Sequence, residues 1–106
     1  MERILYQDDL VKIEIGRSAE DHEIFIKDGE EYISYILPRG FLEEYSKEKP
    51  ERVLSAINNF NSTLVNHLFE QKISSENLTR ILAQAQIKNI EKERDYFIDK
   101  YNKEKS

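Results

Sequence analysis

Glu20, Asp21, His22 and Glu23 crowd three carboxylates around one imidazole, which is a donor set that a divalent cation accepts. Contiguity works against the idea. Neighbouring residues of a strand point to opposite faces, so only His22 with Glu20, or Asp21 with Glu23, could converge. A solvated junction between loop and strand is the expectation there, and no metal is expected. His67 stands beside Leu68 in an apolar-periodic stretch, with Asn59 and Asn66 near the same surface, and reads as a satisfied, partly buried histidine. In LPRGF (37–41), Gly40 and Arg39 precede a helical turn and could hold an anion through backbone N–H groups. The end of a strand explains both residues equally well. NNFN (58–61) is unusual for a helix, because asparagine is a poor helix former. Its amides could meet a partner or a base edge, but solvent is the simpler account. No phosphate loop, dinucleotide fingerprint, zinc spacing or nucleophile motif occurs. The expectation is a protein that is not an enzyme and has no cofactor.

The elements that must position these residues follow from composition and period. The chain has 106 residues, 39% hydrophobic and 35% charged, and no cysteine. That length suits one domain with a modest core, and lack of cysteine removes disulfides and thiolate metal sites. No run approaches the ~20 apolar residues of a membrane helix, and the N-terminal residues lack the order of a signal peptide. A cytoplasmic protein is expected. Net charge is −5, placed unevenly: residues 1–37 hold ten acids and four bases, and 38–106 hold eleven acids and twelve bases. Neither part has the clustered positive charge that a phosphate backbone attracts, so nucleic acid is not the expected partner. The negative charge is also too interrupted, by Lys12, Arg17 and Lys27, for a DNA mimic.

Residues 3–15 alternate with period two. A turn at Asp8-Asp9 would pair Tyr6 with Val11 and Ile4 with Ile13, placing Ile4, Tyr6, Val11, Ile13 and Ile15 on one face. A polar loop (16–21) leads to a second hairpin around Asp28-Gly29, since both residues tolerate positive φ. In the tightest register Phe25 faces Tyr32 and Ile24 faces Ile33, although a longer, bulged loop would relieve Glu31 from sitting opposite Ile26. A four-stranded antiparallel meander results either way. Its inner face carries Ile13, Ile15, Ile24, Ile26, Ile33 and Leu37. Leu5, Leu10, Phe25, Tyr32 and Ile36 fall on the other face among charges.

Pro38 and Gly40 end the sheet, and 41–47 reads as a short helical turn. Pro50 suits the first position of a helix, and Val53, Ile57, Phe60, Leu64 and Leu68 carry one amphipathic helix to about Gln71, widened by Leu54, Val65 and Phe69. Ser74 caps the next helix, with Ile73 stapling onto Leu78. The fold class is thus α+β: two hairpins, a short turn, and an αα-hairpin with a long C-terminal helix. One domain spans 1–106, with the sheet in 1–37, helices in 38–106 and a frayed tail at 102–106.

Along the last helix the apolar stripe turns. With Leu78 at zero and about 100° per residue, Ile81, Leu82 and Ala85 lie within roughly 60°, and Ile87, Ile90, Phe97 and Tyr101 lie between roughly 100° and 180°. About 29 helical residues would span roughly 43 Å, against a radius of gyration near 13 Å for such a domain. The helix should therefore project, or break near Gln84–Gln86 and fold back. If it projects, Ala83, Ile87, Ile90, Arg94, Phe97 and Tyr101 form a coiled-coil seam. That seam closes on its own domain, on a second copy, or on a foreign protein.

The leading expectation is a non-catalytic interaction or regulatory protein, homodimeric, binding through Phe25, Tyr32 and Ile36 on the sheet and through Ile87, Ile90, Arg94, Phe97 and Tyr101 on the helix. Two alternatives stand behind it. One is a nucleic-acid-binding regulator using the 50–71 helix; the other is a small phage or mobile-element inhibitor of a larger protein.

Overall fold

The computed structural model describes residues 3–16 and 21–105. Strands β1 (Ile4–Gln7), β2 (Val11–Ile15), β3 (His22–Asp28) and β4 (Glu31–Leu37) form one antiparallel sheet in the order β1-β2-β3-β4. Helices α1 (Phe41–Tyr45), α2 (Pro50–Phe60), α3 (Ser62–Glu70) and α4 (Ser75–Lys105) follow. This is the expected α+β meander with a long last helix.

Both hairpin registers differ from the simplest reading, for local reasons. In the first, Asp8 Oδ1 accepts from the N–H groups of Leu10 and Val11, each at 2.8 Å, while its Oδ2 accepts from the Tyr6 hydroxyl at 2.6 Å. The loop therefore includes Leu10, and Tyr6 pairs with Ile13 rather than Val11. A bulge between Ile4 and Tyr6 absorbs the slip. It also turns Leu5 inward to 5% exposure, correcting its expected place on the outer face, and leaves Ile4 beside Glu14 on that outer face. In the second hairpin the turn is Gly29-Glu30, with Gly29 at φ 66°, where a side chain would be strained. Lys27 thus faces Tyr32, and Phe25 faces Ser34. A shift of two residues preserves each side chain's face, so Phe25 and Tyr32 remain outside together.

The core lies between the sheet's inner face and the helices. Val11, Ile13, Ile24, Ile26 and Leu37 meet Leu42, Val53, Ile57, Leu64, Leu68 and the first half of α4, all buried. Ile33 is 41% exposed although it belongs to this inner face. Its partner Ile26 has strands on both sides, whereas β4 is an edge.

The expected single helix over 50–71 is two helices. Asn61 leaves helical geometry (φ −156°, ψ 90°), and its side chain accepts from Leu64 N at 3.0 Å, capping α3. Here the asparagines mark a helix boundary. The break also re-aims the neighbours. Phe60 packs edge-on to Phe41, with ring centroids 5.7 Å apart, and Phe69 is exposed rather than widening the core. α3 ends with Ile73 N donating to Leu68 O and Lys72 at φ 57°, the geometry of a Schellman stop. Ser74 Oγ then accepts from Asn77 N at 3.1 Å, and Ile73 and Leu78 are both buried, as the capping pattern predicts.

α4 does not break at Gln84–Gln86. Its 31 residues span about 46 Å, and the chain measures 53 × 30 × 20 Å. Leu78, Ile81, Leu82 and Ala85 are at most 1% exposed, packed against α1, α2 and β1.

Candidate functional site

The residues that could do chemistry are spoken for by the fold. His22 is buried, not solvated: it shares the inner face with Ile24 and Ile26, directly opposite Leu37. It hydrogen-bonds the Asn89 side chain of α4, and its Nδ1 has no partner among the described residues. Burial holds its proton affinity below the ordinary imidazole value, against the opposing pull of Asn89 and the carboxylates of Glu43, Asp21 and Glu93. Glu20 lies outside the described residues, and no group of three potential metal ligands occurs among those described. His67 is more deeply buried than the expected partly buried, satisfied histidine: its Nδ1 lies 3.2 Å from the Tyr35 hydroxyl, but its Nε2 has no partner among the described residues; burial raises the pKa of that phenol.

Gly40 adopts φ 77° at the start of α1, but Phe41 N donates to Pro38 O at 3.0 Å. Glu43 and Glu44 occupy the first helical turn, which is unfavourable for an anion. An open cleft of about 270 Å³ is lined by Tyr45, Glu51, Arg52, Ser55, Ala56 and Asn59. No helix among the described residues is long and apolar enough to cross a membrane.

Apolar surface remains in two places. On the sheet's outer face, Phe25, Tyr32 and Ile36 share one side, as the alternation predicts, but a lysine covers the aromatic pair. Lys12 stands beside Phe25 in the ladder. Its Nζ lies 4.6 Å from the Phe25 ring centroid and 5.4 Å from that of Tyr32, with Glu14 at 3.4 Å. The ammonium is held by two ring faces and a carboxylate, and its stem shields the rings. Phe25 is half-buried as a result; Ile36, nearer the far end of β4, is 61% exposed.

The second place is α4 beyond Ala85. Ile87, Ile90, Phe97 and Tyr101 are each more than half exposed. Arg94 contacts Asp95 at 3.5 Å, in an exposed pair. At about 100° per residue the centre of this stripe lies roughly 140° from the face that seats the helix on the domain. It is therefore the outward back of the helix along its whole length. Two further apolar residues are exposed in the same stretch of helix. Ile98 flanks the seam, and Tyr96, five helical turns after Leu78, points the same way as Leu78 where the domain no longer reaches. Tyr96 packs edge-on to Phe97 at 5.4 Å. Adjacency to Phe97 was the available signal for both; strict seam spacing passes over them. The sheet's outer face and α4 lie on opposite sides of the sheet, so the two sets of expected contact residues form separate surfaces. No family model, curated protein or solved structure matches this chain.

Proposed function

We propose that this is a non-catalytic interaction protein that works as a homodimer, with the distal half of α4 as its principal contact and the outer sheet face as a second surface. One observation carries the reading. From Ile87 to Tyr101 a single helix face keeps four large apolar side chains more than half exposed, with an arginine between them. Burying each is worth roughly 1.5–3 kcal/mol, a driving force that a solitary chain leaves unused and that favours association. The outer sheet face contributes less, because Lys12 already shields its aromatic pair. Recognition of nucleic acid draws little support: the asparagines of 58–61 straddle a helix break, and the chain carries net charge −5.

Size-exclusion chromatography with light scattering tests the proposal. A dimer mass at micromolar concentration is expected, reverting to monomer with Phe97→Glu while the circular dichroism spectrum is retained. A wild-type monomer at several hundred micromolar would overturn the homodimer. Recovery of one stoichiometric foreign protein from the native host in that case would shift the same surface to an inhibitor or adaptor role.

A further inference from the structure

From the same helix face we infer the geometry of that dimer: two α4 helices pair antiparallel, with a twofold axis at Lys92, over residues 83–101. The inference rests on the dimer reading above and adds the orientation and register.

The seam is self-complementary about residue 92. Antiparallel pairing sets Ala83 against Tyr101, Ile87 against Phe97, and Ile90 against Arg94, each occurring twice by symmetry. The smallest seam residue meets the bulky phenol, as close packing of facing layers prefers. Parallel pairing in register sets each residue against its own copy. Arg94 would then face Arg94 inside the seam, two like charges in a partly desolvated layer. In the antiparallel form each Arg94 lies at the level of Ile90, within one helical turn of Glu91 and Glu93 of the second copy. The four acids that gather near the axis have the two arginines between them.

The fold leaves room for this arrangement. The seam lies roughly 140° around α4 from Leu78, Ile81, Leu82 and Ala85, so each domain sits on the far side of its own helix and does not block the partner. Ile87, Ile90, Phe97, Ile98 and Tyr101, exposed by about half or more, offer on the order of 600 Å² per copy. With the stems of the flanking charged residues this approaches the ~800 Å² per partner of a stable interface. The two sheets end at opposite ends of the assembly, with their outer faces free.

The chain has no cysteine, so single nitroxide labels can be placed at Glu91→Cys and, separately, at Asn102→Cys, and the distance between copies read by pulsed electron resonance. Antiparallel pairing predicts a separation under ~20 Å at 91, since helix axes lie 8–10 Å apart, and about 30 Å or more at 102, from a 1.5 Å rise per residue. A dimer with short distances at both positions would be parallel and would overturn this geometry while leaving the dimer intact. A dimer with long distances at both would place the interface elsewhere and overturn the use of the seam. A monomer by light scattering would remove the dimer and the geometry together.

Discussion

The two halves of α4 are one unbroken helix with opposite fates. Up to Ala85 its apolar residues lie on the side facing β1, α1 and α2, and are sealed. From Ile87 onward they are exposed, and all but Tyr96 lie on the opposite side. Asn89 sits at the crossover, the last well-buried position, bonded to His22 of β3. A helix that served only its own domain would keep one stripe, because 3.6 residues per turn maintain a face at no cost. A stripe that changes sides leaves a second apolar surface beyond the one that seats the helix on its domain. The radius of gyration, 15.0 Å against about 13 Å expected for this length, reflects the half that leaves the domain.

The sharpest way to break the comparison is to make the same kind of cut in each half. Leu82→Ala should cost about 2–5 kcal/mol, because it removes a fully buried side chain and leaves a cavity. Ile90→Ala should change the stability of the isolated chain by no more than about 0.5 kcal/mol. Both are measured by urea denaturation at a dilution where the chain is monomeric, since association would add its own stabilisation. Equal losses would mean that the distal stripe belongs to the core.

The crossover can be probed by pH. His22 is held below its ordinary value of 6.5 by burial, so the folded state prefers the neutral imidazole. The unfolded chain then binds the proton more readily, and stability should be fully present above about pH 6.5 and fall as the pH drops below it. His22→Gln should flatten that part of the melting-temperature profile. A slope unchanged by the substitution would assign it to other groups.

The smallest expected effect concerns the other apolar surface. Lys12→Ala removes an ammonium from two ring faces and should cost about 0.5–1 kcal/mol, read as a modest fall in the urea midpoint. It should also raise binding of a hydrophobic dye, by uncovering Phe25 and Tyr32. If neither changes, the lysine is not what distinguishes the sheet face from the helix.

Sequence alone determined the period of every element, and much follows from that. Alternation identified the strands and kept Phe25 and Tyr32 on one face even though the turn moved, because a two-residue shift conserves parity. Pro50, Ser74 and Ile73 marked helix starts through backbone chemistry that acts within a few residues. The turning stripe was legible because helix phase is arithmetic on residue number. Two local choices escaped the pattern because competing backbone solutions lie within a few residues of each other: Asp8 bonded the Leu10 and Val11 amides and so set the first register, and Asn61 capped a new helix instead of continuing an old one. Tertiary structure decided whatever depended on which neighbour arrived. His22 became buried because α4 crosses the end of β3, and Lys12 found two rings across the sheet. Period is a property of the chain's own covalent geometry; burial depends on what else occupies the space, and distant segments supply that only after folding.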